Sequence, residues 1–232
     1  MNRPLATAAT EKLVHIPADG VHIEGMLQVP ENAQGLVLFA HGSGSSRHSP
    51  RNNYVAQVLH HGAIGTLLMD LLTPEEDMDY QTRFDIGLLT RRLLEATRWI
   101  RREADTGKLP LGYFGASTGA AAALQAAAAT GDNVAAVVSR GGRPDLAAER
   151  DLQRVQCPTL LLVGGHDPEV IRLNRQAYEL LRCQKEMIIV PGATHLFDEP
   201  GTLETVAHEA TLWFSQHLMP GLSDRLNHAE SE

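Results

Sequence analysis

The strongest constraint on the fold is a rhythm. Short apolar runs alternate with longer stretches of helical periodicity. Gly35 to Ala40 is one such run, apolar throughout and followed by His41-Gly42-Ser43-Gly44-Ser45-Ser46. Runs of this kind mark strands buried on both faces. Ala63 to Leu72, Leu111 to Phe114, Val134 to Ser139, Thr159 to Val163 and Glu186 to Val190 read in the same way. Between them lie predicted helices at Asn53 to His60, Phe84 to Ala104, Thr118 to Ala129, Pro168 to Leu181 and Thr202 to His217, with a brief helical patch at Asp145 to Arg154. In Phe84 to Ala104 the residues Leu88, Leu89, Leu93, Trp99 and Ile100 recur at helical intervals. Ahead of this alternation, Leu13 to Ile16 and Val21 to Val29 flank Ala18-Asp19-Gly20, the pattern of an antiparallel hairpin closed by a glycine turn. The whole predicts an α/β architecture: a mostly parallel sheet covered by helices on both faces, with the functional loops at the carboxyl ends of its strands.

The 232 residues suit a single domain of this class, spanning 1–232, with 1–10 and 220–232 as loose ends. A net charge of −8 speaks against nucleic acid as a partner, because phosphate binding needs a basic face. No apolar run approaches the roughly 20 residues of a membrane span. Met1 to Thr10 holds one arginine and no apolar core of a secretory signal. The two cysteines, Cys157 and Cys183, read as reduced thiols and not as metal ligands. The expected location is the cytoplasm, and no cofactor is implied.

Chemistry enters at Gly115-Ala116-Ser117-Thr118-Gly119, between an apolar strand and an alanine-rich helix. This is the G-x-S-x-G pattern of a nucleophile elbow. A strand that turns at once into a helix forces the serine into a strained backbone with its Oγ at the tip. The residues two places either side then come too close for a Cβ, so both are glycine. The helix that follows aims free N–H groups at any oxyanion formed beside the serine. Further on, Gly164-Gly165-His166-Asp167-Pro168 places an aspartate after one strand, and Pro191-Gly192-Ala193-Thr194-His195 places a histidine after the next. A serine hydroxyl needs an imidazole to take its proton, and the imidazole needs a carboxylate to hold its tautomer. Ser117, Asp167 and His195 supply these three types in the order of one hydrolase superfamily. Each has a plainer reading: Asp167 as the N-cap of the helix starting at Pro168, His195 as a satisfied loop histidine. In His41-Gly42-Ser43-Gly44 the backbone N–H of Ser43 is the expected partner of the Thr118 N–H in an oxyanion hole.

With these motifs in place, the chain from about Leu13 to Leu218 resembles the α/β-hydrolases, and more narrowly the dienelactone hydrolase family. The resemblance rests on His41-Gly42-Ser43-Gly44, Gly115-Ala116-Ser117-Thr118-Gly119, Ser139-Arg140-Gly141-Gly142-Arg143-Pro144, Gly164-Gly165-His166-Asp167 and Gly192-Ala193-Thr194-His195. It implies an α/β-hydrolase fold with eight strands. Dienelactone hydrolases proper use a cysteine nucleophile, whereas this chain has Ser117, which points to a serine esterase of the broader family. Only about 19 residues, 140 to 158, separate the sixth and seventh strands, too few for a large lid. Leu72 to Arg83 is the other segment placed to cover the site. An open site implies small ester substrates.

Arg140 and Arg143 follow the sixth strand. Either one grips a substrate carboxylate, or both pair internally with Asp145 or Glu169. Asp70 and its acidic neighbours Glu75, Glu76 and Asp77 read as a solvated loop with one helix cap, with Asp70 able to anchor an arginine across the site. The expectation is a serine hydrolase of small carboxylic esters. Thioesterase, lactonase or peptidase activity on the same triad remains open, as does a catalytically silent binding protein. A dinucleotide-binding reading fails, because Gly112-x-x-Gly115-x-x-x-Gly119 is not G-x-G-x-x-G.

Overall fold

Beginning at the hairpin, β1 (Thr10–Ala18) and β2 (Val21–Val29) pair antiparallel around Asp19 and Gly20. Both turn residues have positive φ, 47° and 79°, the geometry that suits a two-residue hairpin loop. The computed structural model describes residues 10–218; of the expected loose ends, 1–10 and 220–232, all but Thr10 lie outside it, and Thr10 opens β1.

Six further strands follow: β3 (Gly35–Ala40), β4 (Ile64–Met69), β5 (Leu111–Ala116), β6 (Ala136–Arg140), β7 (Thr159–Gly164) and β8 (Lys185–Val190). Among the described residues the eight strands form one sheet in the order β1-β2-β4-β3-β5-β6-β7-β8. β2 meets β4 antiparallel, and every pair from β4 to β8 is parallel. This is the mostly parallel α/β sheet expected from the alternation, with the eight strands that the resemblance implies.

Among the described residues seven α-helices connect and cover the sheet: α1 (Pro50–His61), α2 (Pro74–Asp77), α3 (Ile86–Ile100), α4 (Thr118–Thr130), α5 (Glu149–Leu152), α6 (Pro168–Leu180) and α7 (Thr202–Leu218). Successive residues of the central strands feed two cores. Leu36, Leu38 and Ala40 of β3 pack with Leu89 and Leu93 of α3 and Ala121 to Ala123 of α4. Val37 and Phe39 point the other way, toward Val55 and Leu59 of α1 and Val206 and Phe214 of α7. Side chains that alternate along a strand bury both sheet faces only if helices lie on both sides.

Element ends differ from the periodicity where caps intervene. Helix α1 starts at Pro50 because Ser49 Oγ accepts the Asn52 N–H at 3.3 Å and proline suits the first turn. Helix α3 starts at Ile86, not Phe84, because Asp85 caps it by accepting the Leu88 N–H at 2.9 Å; Thr82–Phe84 is a separate 3₁₀ turn. Its end at Ile100 precedes turns in which Arg101 reaches the carbonyls of Gly107 and Leu109. The strand expected over Ala63 to Leu72 is confined to β4, with Ala63 at φ 58° on one side and Leu71 drawn to His41 on the other. The acidic loop contains α2, closed by a capping box between Thr73 and Glu76.

Between β6 and β7 there is only a 3₁₀ turn (Pro144–Leu146) and the single turn of α5, so no lid domain is inserted. No described helix is long and apolar enough to cross a membrane.

Candidate active site

The strand order reverses at β3. The chain leaves β3 for β4 on one side and later returns to β5 on the other. In open α/β sheets the crevice beyond the strand ends at such a switch point receives the ligand. Two loops meet there: His41–Gly44 after β3, and Ser117 after β5.

Ser117 is the single residue between β5 and α4, with φ 51° and ψ −120°. Such a backbone costs a non-glycine residue on the order of 1–3 kcal/mol and persists only where its surroundings fix it. They do so here. The Ser117 N–H donates to Arg140 O at 3.3 Å, and Ser117 O accepts the Arg143 N–H at 3.0 Å. A Cβ on Gly115 would stand 2.5 Å from Ala120 Cα, and one on Gly119 would overlap the Ala40 carbonyl oxygen. Both glycines are therefore steric requirements of the sharp turn.

Asp167 and His195 come from the loops after β7 and β8. Backbone bonds join these loops, Gly165 N–H to Val190 O at 2.9 Å and His166 N–H to Ala193 O at 2.8 Å. The carboxylate serves both of its sequence readings. One oxygen accepts the Val170 N–H at 3.4 Å, capping α6, and the other lies 2.8 Å from His195 Nδ1. An Nδ1–H donated to a carboxylate leaves Nε2 as the basic nitrogen. The His195 ring closes against the loop after β6: a Cβ on Gly141 would be 3.6 Å from its Cε1. Ser117 Oγ and His195 are not hydrogen-bonded to each other; such bonds often tighten only with substrate in place.

Ser43 is exposed on the β3 loop and Thr118 is the first residue of α4. Neither N–H donates to another group among the described residues. A Cβ on Gly42 would be 3.0 Å from Ser117 Cβ, so the loop passes directly beside the serine. His41 is buried; its Nδ1 lies 2.8 Å from Gly42 O and its Nε2 accepts the Leu71 N–H at 3.0 Å.

The two arginines after β6 separate. Arg143 is held by Asp145 through two bonds, 2.8 and 2.7 Å, which is the internal pairing; Glu169 pairs instead with Arg172. For Arg143 the structure thus shows the internal pairing, the second of the two readings open for it. Arg140 has no carboxylate partner among the described residues, and its buried Nε has no hydrogen bond. It is 8% exposed, and its guanidinium carbon lies 5.8 Å from the Phe197 ring centroid. Burial pushes its pKa down to about 10, helped by Arg51 and opposed by Asp198. The arginine that Asp70 anchors is Arg47, which also reaches Glu24.

Sequence reasoning gave His41 and Gly141 no role of their own, although both stand in the motifs quoted above, and did not find Phe197 or the Arg51–Asp198 ion pair at 3.0 Å. Gly141 and Phe197 have positive φ, 51° and 58°. The Gly141-Gly142 pair directly after a strand was the available signal for the first; Phe197 carried none.

No family model matches the chain. In sequence it is 56% identical over 211 residues to two Mycobacterium tuberculosis proteins that carry the provisional name phosphoribosyl transferase. The match takes in 90% of this chain and 47% of theirs, so the chain spans about half the length of these curated relatives. In structure it is similar to a dienelactone hydrolase from Anabaena variabilis, with a TM-score of 0.88, 53% identity, and coverage of 90% of this chain and 99% of that one. Est1E from Butyrivibrio proteoclasticus superposes with a TM-score of 0.76 at 15% identity, over 88% of this chain and 98% of that one, a likeness of fold alone.

Proposed function

The chain belongs to the dienelactone hydrolase family of α/β-hydrolases, and from that premise we propose that it is a serine hydrolase cleaving carboxylic esters of small molecules through an acyl-enzyme. The observations that carry this reading are the 2.8 Å contact between His195 Nδ1 and Asp167 and a serine held at φ 51° at a strand–helix corner. Ser117 stands where dienelactone hydrolases proper have cysteine. A serine hydroxyl is inert without a base, so the reading requires the imidazole.

Ser117 Oγ attacks the ester carbonyl and passes its proton to His195 Nε2. Asp167 stabilises the imidazolium through Nδ1–H without taking the proton itself. The N–H groups of Ser43 and Thr118 receive the oxyanion, each worth roughly 3 kcal/mol in the transition state. His195 then protonates the departing alcohol, and water, activated by the same nitrogen, releases the acid. Arg140 is the substrate-facing cation of this proposal, suited to a carboxylate on the acyl or alcohol part. The phosphoribosyl transferase name belongs to chains about twice as long and is not carried over.

The test is Ser117→Ala assayed on p-nitrophenyl acetate. The expected outcome is loss of turnover by roughly 10³-fold or more with an unchanged melting temperature. Turnover equal to the parent chain overturns the reading.

A further inference from the structure

His41 is buried at 5% exposure, yet both ring nitrogens are engaged, and the two bonds fix its protonation. The Leu71 N–H donates to Nε2, so Nε2 carries a lone pair. The proton of the neutral ring is therefore on Nδ1 and is donated to the Gly42 carbonyl at 2.8 Å. Burial lowers the pKa of His41, against the opposing pull of that carbonyl, Asp70 and Asp77, which keeps the ring neutral at ordinary pH.

The same carbonyl accepts a second bond, from the Ser45 N–H at 3.2 Å, closing a turn with Gly44 at φ 68°. A positive φ at the third residue of a hydrogen-bonded turn is the signature of type II. Types I and II differ in the orientation of the central peptide, Ser43–Gly44; the preceding Gly42–Ser43 peptide is held instead by the two bonds its carbonyl accepts. No cis peptide is present among the described residues, so the Gly42–Ser43 unit is trans and its N–H points opposite its C=O. With the carbonyl held by His41 and Ser45, the Ser43 N–H is turned away from both and left unpartnered.

We propose that His41 is a positioning residue, which in its Nδ1–H form latches the Gly42–Ser43 peptide so that the Ser43 N–H faces the carbonyl under attack at Ser117. This rests on Ser117 being the nucleophile. The latch is braced from behind. Asp70, next to Leu71, accepts the Arg47 N–H at 2.7 Å and pairs with its guanidinium, tying the far end of the same loop to the end of β4. A pre-aimed donor needs no reorganisation as charge develops, which is where such a group gains its effect.

The experiment compares three variants on p-nitrophenyl acetate, alongside Ser117→Ala. His41→Asn keeps a donor near the Nδ1 position and loses the acceptor for Leu71. His41→Gln places its amide near Nε2 and loses the donor to Gly42. His41→Leu loses both. The expected kcat falls about 100-fold in the Leu and Gln variants with KM changed less than about threefold, and the Asn variant recovers most of it. Affinity for a trifluoromethyl ketone, which forms a tetrahedral adduct, is expected to fall in step with kcat/KM. A residue that merely tied two loops together would not favour Asn over Gln. Equal kcat in those two variants, or Gln above Asn, overturns the latch. Should the Leu variant fail to fold, the Asn–Gln comparison still decides. Activity retained in Ser117→Ala instead removes the nucleophile reading on which the latch rests.

Discussion

Arg140 leaves β6 with its guanidinium more than nine-tenths buried, stacked near Phe197 and close to the Arg51–Asp198 pair, with no carboxylate of its own among the described residues. A buried charge without a partner is costly, and proteins rarely keep one unless something binds it. If a substrate carboxylate is that partner, Arg140→Met lowers the ratio of kcat/KM for a half-ester of a dicarboxylic acid over that for a neutral ester by about 10–100-fold. An unchanged ratio assigns Arg140 to packing against Phe197. Melting temperature is expected to hold or rise, since a hydrophobic residue of similar volume relieves the buried charge. Arg143, one turn away in sequence, illustrates why composition could not choose between the pair: Asp145 two residues on was visible, but its bidentate reach was not.

At the scale of elements, the strand–serine–helix corner is the unit on which the site depends. Gly119 brings the first turn of α4 against the end of β3, where any Cβ would overlap the Ala40 carbonyl oxygen. Gly119→Ala is therefore expected to cost about 2–3 kcal/mol, read as a lowered urea midpoint, with activity reduced further because the Thr118 N–H shifts with the helix. A variant as stable and active as the parent would show that the corner has slack. This corner was legible in the sequence because its sterics are local. Helix starts were missed where a cap went unread, since Ser49-Pro50 and Asp85 start α1 and α3 at Pro50 and Ile86 and not at Asn53 and Phe84, whereas α6 starts at Pro168 behind its recognised cap, Asp167. Of the four-residue α2 the sequence offered only the expectation of a helix cap in the acidic loop, because so short a helix has no period, only the Thr73–Glu76 capping box.

For the molecule as a whole, several histidines are held neutral by the fold. Burial lowers His60 to about 4, with His61 adding to the effect, while its Nε2 lies 2.7 Å from Thr66 Oγ1; burial also lowers His41 and His217. The unfolded chain protonates these groups near 6.5, whereas the folded chain resists until lower pH. Between those values the unfolded state binds more protons, so stability falls as pH falls. The contribution is fully present above about 6.5 and, for His60, is lost down to about 4. The melting temperature is thus expected to drop steadily from pH 7 to pH 5, and less so in His60→Gln. Equal midpoints at the two pH values would contradict this account.

Sequence alone determined the alternating architecture and the strand–serine–helix corner, and put forward Ser117, Asp167 and His195 as candidates, because each follows from short-range patterns: burial period, steric need for glycine, and residue type at a strand end. Tertiary structure decided what these patterns leave open. It gave Asp167 both a cap and an imidazole to hold, paired Arg143 while leaving Arg140 without a carboxylate among the described residues, and set the tautomer of His41 through the distant Leu71 N–H. Such outcomes depend on which strand ends the sheet order brings together. Hydrogen bonds act over about 3 Å, a distance fixed by that order and not by separation along the chain.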